Sequence, residues 1–135
     1  NLKYTDSVLR ERLESNGVKF THVNQGYAKC STAVVDKKSI ITSDKGIVRA
    51  AKEVGIESLL IEPNEGIILP SLDYGFIGGS TGLVDKSVLA ITGNIEKLKS
   101  FSKIKKFLED RGMKVISLSN QSIIDVGSII PLLTE

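Results

Sequence analysis

A phrase that occurs twice is the feature that most constrains the fold of this chain. The sequence GYAKCSTAVVDK, from Gly26 to Lys37, returns as GFIGGSTGLVDK, from Gly75 to Lys86, displaced by 75 − 26 = 49 residues without a gap. A period near fifty residues is typical of arrays and propellers of supersecondary units. We therefore expect a repeated unit, with functional residues where the copies converge.

Each copy contains a helix that is closed by glycine. The first predicted helix begins at Asp6 or Ser7 and runs to Ser15, before Gly17. A small polar residue at the start and a glycine after the end are typical capping residues. Two further helices are predicted, from Asp44 to Gly55 and from Asn94 to Gly112, the latter with one apolar stripe. The stripe consists of Ile95, Leu98, Phe101, Ile104 and Leu108.

Short strands surround these helices. β-like runs follow the three glycines, at Val18–Val23, Ile56–Ile61 and Met113–Leu118. Two further pairs of short runs flank Asp36-Lys-Lys38 and Asp85-Lys-Ser87, and this predicts tight hairpins. The fold class is therefore α/β, built from ββαβ repeats with mixed sheets.

The spacing between copies predicts how many units the chain holds. We expect one extra residue between the second hairpin turn and Thr92, and a third helix that is seven residues longer than the second, about two helical turns. Repeat boundaries fall near Gly26, Gly75 and Gly127. Residues 1–135 thus form a single domain of two complete units and pieces of others, which is too short to close a ring of five.

Composition excludes several classes of function. Net charge is +2, with no dense basic field, and no apolar run approaches the length of a spanning helix. We therefore predict neither nucleic acid nor membrane as a partner. The one cysteine cannot form an internal disulfide or a paired-cysteine metal site, so a cytoplasmic location without metal or cofactor is expected.

Three segments resemble an uncharacterised bacterial family, mostly clostridial, assigned to the guanidino-group-modifying-enzyme or pentein fold. They are Asn24–Thr32 together with Ile40–Asp44, Tyr74–Gly82 and Asp125–Pro131. The resemblance covers nearly the whole chain, which looks like the C-terminal part of a member. It implies a portion of a five-unit β/α propeller and, in catalytic relatives, guanidino chemistry with a cysteine near the C-terminus. The C-terminal residues of this chain include no cysteine.

Polar residues precede each repeat boundary. Asn24, Asp73 and Asp125 each stand two residues before a glycine. If the copies surround a common axis, these side chains converge, and two carboxylates with an amide suit a guanidinium or another cation. The alternative is that each side chain hydrogen-bonds the backbone of its own turn.

Cys30 and His22 are the candidate catalytic pair. Cys30 would act as a nucleophile, with a thiolate favoured by neighbouring Lys29 or by backbone amides, and His22 as proton donor. The alternatives are a cysteine that packs as a small apolar side chain and a histidine with a structural role.

The glycine-rich stretch of the second copy is a candidate ligand loop. Gly78, Gly79 and Ser80 precede a predicted hairpin rather than a helix, and no lysine follows as it does in phosphate-binding loops. The glycines then permit either a ligand or another backbone to approach closely. The basic face of the third helix, without aromatic residues, is predicted to be solvated.

The function predicted from the sequence is the binding of a small polar or cationic molecule, guanidino- or amino-acid-like, in an axial cleft, with hydrolase or deiminase chemistry as an extension. The alternative is a non-catalytic scaffold that assembles with itself or another chain. In either case, a second copy or an N-terminal segment would complete the fold.

Overall fold

A computed structural model describes residues 2–132. Three α-helices occur within this range, α1 (Ser7–Ser15), α2 (Lys45–Glu53) and α3 (Phe101–Glu109), with 3₁₀ turns at Leu2–Tyr4 and Ile95–Lys97. The strands are β1 (Thr32–Asp36), β2 (Ser39–Thr42), β3 (Glu57–Leu60), β4 (Thr81–Asp85), β5 (Val88–Ile91) and β6 (Lys114–Ser117). The α/β class with mixed sheets is confirmed.

The strands form two three-stranded sheets, ordered β1-β2-β3 and β4-β5-β6. In each sheet a hairpin is antiparallel and the closing strand is parallel to its neighbour. We call residues 32–60 unit 1 and residues 81–117 unit 2. The pairing of Ala33 with Ile41 is matched by that of Gly82 with Ala90, so the two hairpins share one register. The described residues form no closed sheet, and the structure does not show a propeller.

The predicted strand Val18–Val23 is not formed. Strands β3 and β6 each pair with the second strand of the hairpin in their own unit. No such hairpin precedes residues 18–23 among the described residues, and no described strand pairs with this run. The prediction from local sequence was wrong because a strand requires a partner.

The prediction of a longer third helix was also wrong, since α2 and α3 both have nine residues. The added residues form the 3₁₀ turn, and an extended Leu98 separates it from α3. The buried carboxylate of Glu65 explains the break, because it accepts hydrogen bonds from the Ser100 N–H at 2.8 Å and from the Ser100 hydroxyl. A cap from the segment between the units therefore starts α3.

The extra residue also lies elsewhere than predicted. Thr32 pairs with Thr42 and Thr81 with Ile91, so each hairpin keeps the displacement of 49 to its last residue. The N-caps Asp44 and Asn94 are displaced by one residue more. The insertion therefore lies between strand and helix cap, where it leaves the strand register unchanged.

One core joins the two units. Alternation along β1 directs Ala33 and Val35 to one face of the first sheet, and Ile41 lies opposite Ala33 on that face. In the second sheet the core residues are Leu89 and Ile91. The residues 49 positions earlier, in unit 1, lie on the face of that sheet opposite to Ala33 and Ile41. Helix α3 supplies three residues to the same core, so it packs between opposite faces of the two sheets. These residues are Ile104, Phe107 and Leu108.

Candidate functional site

The loops that precede β1 and β4 have the same turn and lie against each other. The Ser31 N–H donates to the Tyr27 carbonyl at 2.9 Å, and the Ser80 N–H donates to the Phe76 carbonyl at 3.2 Å. The rings of Tyr27 and Phe76 stack with centroids 6.4 Å apart. The Gly79 N–H donates to the Cys30 carbonyl at 3.0 Å, so the two repeat boundaries converge as predicted.

Asp125 joins the third boundary to the second. Its buried carboxylate accepts hydrogen bonds from the backbone N–H groups of Phe76 and Gly127, both at 2.9 Å. The Val126 N–H donates to the Gly79 carbonyl at 3.1 Å. Both carboxylate oxygens therefore already have protein donors. This geometry is the alternative in which the acid serves the turn backbone.

Gly78 and Gly79 are required for close approach of these segments. A Cβ atom on Gly78 would lie 2.2 Å from the Thr32 carbonyl oxygen, and one on Gly79 would lie 2.0 Å from Asp125 Oδ1. Ser80 is buried, and its hydroxyl donates to the Ile77 carbonyl at 3.0 Å. These residues pack one loop against the next, which is the backbone-approach alternative. We call residues 26–31, 75–80 and 125–130 the loop junction.

The remaining predicted site residues lie on its surface or apart from it. Asn24 and Asp73 are exposed, and neither side chain makes a hydrogen bond or ion pair within residues 2–132. No hydrogen bond joins either of them to Asp125 within the described residues, so a cation site formed by the three side chains stays a prediction.

The proposed catalytic pair is not joined by any contact within the same range. The half-buried Cys30 thiol donates to the Gly127 carbonyl at 3.7 Å, a long contact in which sulfur is a weak donor. His22 is exposed and makes no hydrogen bond or ion pair with the described residues. Within the described residues, no hydrogen bond orients the thiol toward the imidazole, so the catalytic pair stays a prediction.

The loop junction is tied to the start of α2 through Gln25. Its side-chain oxygen accepts from the Tyr27 N–H at 3.1 Å, and its amide nitrogen donates to Asp44 Oδ2 at 2.9 Å. The pKa of the Asp44 carboxyl lies below its usual range, and the main cause is the hydrogen bond that the carboxyl accepts from the Ile47 N–H. Gln25, the Gly46 N–H and Arg49 also lower this pKa, whereas burial raises it. Asp44 therefore caps α2 as an anion.

A large cleft lies at the other end of the first strands, between the hairpins of the two units. It encloses about 1180 Å³. Val34 of β1 and Leu83 of β4 lie on its wall, and the same two residues line a smaller cavity of about 170 Å³ beside the loop junction. A groove between β1 and β4 thus extends toward both ends. Charged residues surround the wide end, namely Asp36, Lys37, Lys38, Glu57, Lys86, Asp110 and Arg111.

Arg111 crosses from unit 2 to unit 1 at this cleft. Its guanidinium forms an ion pair with Glu57, donates to the Ser39 hydroxyl at 2.8 Å and lies 4.0 Å from an Asp36 oxygen. The same group stacks 3.5 Å above the Phe107 ring. Arg111 is therefore engaged with protein groups, whereas Lys37, Lys38 and Lys86 are exposed at the rim.

Two residues of structural importance were missed by the sequence interpretation. Arg111 precedes Gly112 as Val54 precedes Gly55, so the repeat alignment shows a basic residue in place of an apolar one at this position. Glu65 lies outside the repeated phrase, and no signal in the sequence distinguishes it from an ordinary exposed loop acid.

Two features, a group of metal ligands and a membrane-spanning helix, are absent from the described residues. Among residues 2–132, no three or more His, Cys, Asp or Glu side chains are grouped so as to hold a metal ion. None of the helices in this range has the length and apolarity needed to cross a bilayer.

Comparison with known proteins identifies one family. The chain belongs to a family of unknown function (DUF6873), whose model matches residues 1–130. No curated protein and no solved structure matches the chain.

Proposed function

We propose that this protein binds a small zwitterionic molecule, amino-acid-like or guanidino-bearing, in the cleft between the two hairpins. The observation that carries the proposal is the cleft of about 1180 Å³ that is lined by residues of both units. Its size is adequate for a small ligand, since such sites typically occupy ~300–1,000 Å³. Val34 and Leu83 give the cleft an apolar wall, and most of its other lining residues are charged.

The charges at the rim favour a ligand that carries an anionic group. Arg111 already pairs with Glu57, so these two charges compensate each other. Lys37, Lys38 and Lys86 remain exposed and can approach a carboxylate. Asp36 accepts from the Lys38 N–H in the turn, and its carboxylate is partly exposed, which supports a contact with a cationic group of the same ligand.

In this cleft the cationic group of the ligand would contact Asp36 rather than the acids that precede the repeat boundaries. Asp125 is occupied by the N–H groups of Phe76 and Gly127, and Asp73 is exposed without a neighbouring acid in contact. A ligand at the hairpin end does not compete with those hydrogen bonds. Cys30 and His22 have no part in it.

We infer further that the two units are a portion of a pentein-type β/α propeller with β1 and β4 beside its axis. Support comes from the shared hairpin register and from the direct contact of β1 with β4. In that arrangement the groove between β1 and β4 is axial, as expected from the family that the sequence resembles.

The test is isothermal titration calorimetry with L-arginine and with agmatine, which has the guanidinium but no carboxylate. We expect saturable heat with L-arginine and a several-fold weaker response with agmatine, because the rim lysines have no carboxylate to bind in agmatine. The Lys86→Gln variant should weaken L-arginine binding at least about fivefold, equivalent to ~1 kcal/mol.

The matched control is Lys97→Gln, which changes an exposed lysine of the 3₁₀ turn outside the cleft. It should bind L-arginine as the unchanged chain does. Equal affinity for L-arginine and agmatine, or equal weakening by the two lysine variants, would contradict the proposed role of the rim. Absence of saturable heat with guanidino compounds and with the common amino acids would reject the ligand class.

A further inference from the structure

Strand β3 forms an outer edge of the first sheet, and part of its backbone has no hydrogen-bond partner. The N–H groups of Glu57 and Ile61 donate to the carbonyl groups just before β2 and at its end, at 2.8 and 3.0 Å. Because ladder bonds alternate along a strand, the backbone groups of Ser58 and Leu60 point away from β2. Neither residue makes a backbone hydrogen bond outside its own sheet within residues 2–132. Their N–H and C=O groups are therefore unpaired along this edge.

Strand β3 also lacks the features that protect edge strands from pairing. Strands β1 and β4, the opposite edges of the two sheets, each contain a register shift, within Val34–Asp36 and Leu83–Asp85. Strand β6 begins with the exposed Lys114. By contrast, β3 pairs regularly and contains neither lysine nor proline. Since bulges, lysine and proline are the usual protection of an edge, β3 is the edge that a further strand can join.

A groove of about 400 Å³ lies between β3 and α3. Leu59 lines it from the strand, and the buried Phe107 lines it from the helix. Spacings of three and four residues place the other lining residues along the same side of the helix. These residues are Ser102, Lys103, Lys106 and Asp110. This side of α3 therefore adjoins β3 with an apolar floor and a charged border.

The charges on this side of α3 differ between its two ends. Lys103 lies in the first turn, is exposed and makes no ion pair within residues 2–132. Asp110 lies at the C-cap and pairs with Lys106 one turn earlier. A cation at one end and an anion at the other make this side complementary to itself when two copies lie antiparallel. A contact across a two-fold axis requires such self-complementarity.

We propose that β3 pairs antiparallel with β3 of a second copy of this chain, so that the two first sheets join into one six-stranded sheet. This pairing satisfies the unpaired backbone groups of both copies, and main-chain hydrogen bonds are the basis of strand addition to an exposed edge. Helix α3 of each copy then lies beside its counterpart on one face of the joined sheet. Closure of the groove removes Leu59 and Phe107 from water.

The unpaired groups determine the register of this pairing. The N–H of Ile56 donates to a carbonyl of α2 at 2.9 Å, and the N–H of Glu62 donates to a carboxylate in the following turn at 3.0 Å. Registers that use either of these two groups lose hydrogen bonds already made. Ser58 of each copy therefore pairs with Leu60 of the other, and Leu59 lies at the two-fold axis.

The same axis brings the charges of α3 opposite each other. Helix α3 runs antiparallel to β3, because Arg111 beyond its end pairs with Glu57 at the start of the strand. From Glu57 to Leu59 the strand advances ~6.6 Å, which equals the rise of about four and a half helix residues. The axis at Leu59 is therefore level with the midpoint between Lys103 and Asp110. Lys103 of each copy then faces Asp110 of the other.

The test is the molar mass of the unchanged chain by size-exclusion chromatography with light scattering, over a dilution series from micromolar to millimolar. We expect a dimer whose dissociation constant is on the order of 10–100 μM, as for a small interface. Leu60→Pro removes one outward N–H and leaves the bonds between β2 and β3, so it should raise that constant at least about tenfold. Leu60→Thr, the matched control, retains the N–H and should keep the constant within about threefold.

An exchange of charges distinguishes this contact from other modes of association. Lys103→Glu and Asp110→Lys each place like charges at both contacts of the dimer, so each should raise the dissociation constant at least about fivefold at low ionic strength. An equimolar mixture of the two variants has opposite charges at both contacts. The mixture should therefore form a heterodimer about as tightly as the unchanged chain, detected after labelling one variant. Lys97→Glu, outside the groove, is the control and should leave the constant unchanged.

Two outcomes would overturn the proposal directly, namely a chain that stays monomeric at millimolar concentration and a folded Leu60→Pro chain that associates as tightly as the unchanged one. Circular dichroism and the thermal midpoint of each variant, measured at low micromolar concentration, separate lost association from lost folding. If Leu60→Pro is unfolded, the mixture of Lys103→Glu with Asp110→Lys decides the question. A mixture that associates no more tightly than either variant alone would count against the pairing.

Discussion

Unit 1 and unit 2 have the same strand order, the same hairpin register and the same glycine-closed helix, yet equivalent residues differ in burial. Ile61 is 5% exposed and its counterpart Leu118 is 55% exposed. Local hydrogen bonding is thus a property of the unit, whereas burial depends on which unit lies beside it. In unit 1 the neighbour is α3, and in unit 2 no described helix takes that place.

The helices show the same difference. Phe107 of α3 and Arg111, two residues beyond the end of α3, reach unit 1, whereas the residues at the matched positions of unit 1 are Ala50 and Val54. Helix α2 therefore packs on its own sheet alone, and α3 connects two. The residues that make the second contact differ in kind between the two helices.

The largest expected effect comes from matched truncations on the two sheet faces. Ile61→Ala should lower the free energy of unfolding by about 3 kcal/mol, because it leaves a cavity in the shared core. Leu118→Ala should lower it by less than about 0.5 kcal/mol, because its side chain is largely in water. Urea unfolding at low micromolar concentration measures both. Similar losses for the two variants would mean that the faces are covered alike.

A second pair of substitutions tests the contact that only α3 makes. Arg111→Ala should cost about 2 kcal/mol, since it removes the ion pair with Glu57, the hydrogen bond to Ser39 and the packing on Phe107. Val54→Ala at the matched position should cost less than about 0.5 kcal/mol.

The stability loss of Arg111→Lys should lie between those of Arg111→Ala and Val54→Ala. Lysine keeps the charge but loses the planar fork that stacks on Phe107 and bonds Ser39, so part of the loss should remain. Urea unfolding of the three variants under the same conditions orders them. An Arg111→Ala loss no larger than that of Val54→Ala would show that the two units do not depend on this contact.

The smallest expected effect concerns the caps, which differ because Asp44 is ionisable and its counterpart Asn94 is not. The pKa of Asp44 is lowered in the folded chain, so its carboxylate stabilises the fold at pH values above the unfolded pKa. That contribution disappears as the pH falls through the lower folded pKa. Asp44→Asn retains a good cap and should cost less than about 1 kcal/mol at neutral pH.

The contribution of the Asp44 charge can be measured by comparing how the stabilities of the unchanged chain and of Asp44→Asn depend on pH. The stability difference between the unchanged chain and Asp44→Asn should be constant near neutral pH and should shrink as the pH falls below about 4. Urea unfolding at a series of pH values tests this. A difference that does not change down to pH 2 would mean that the charge of Asp44 contributes nothing to the cap.

Prediction from the sequence succeeded where the cause is local. The glycines that close the helices, the caps at Asp44 and Asn94 and the two hairpins all occur as expected. It failed at Val18–Val23 and in the length of the third helix. A strand needs another strand, and the start of α3 depends on Glu65 from the segment between the units.

For the candidate site, too, the sequence predicted some features and left others open. The repeat predicted that matched segments of the copies would converge, and in the structure Cys30 contacts both Gly79 and Gly127 at one junction. For Asp125 the sequence left two alternatives open, and the structure shows backbone N–H groups on both oxygens of its carboxylate. Repetition of the unit explains why the loops lie together, but it does not determine which group each polar atom hydrogen-bonds.

The sequence alone determined the repeated ββαβ unit, because its turns, caps and alternating strands depend on residues close together in the chain. Only the tertiary structure decided that α3 lies between two sheets, that Arg111 spans the units and that the face around Ile116 and Leu118 is open. The physical reason is that burial is a relation between distant segments, and two copies of one pattern acquire different surroundings when only one of them has a neighbour.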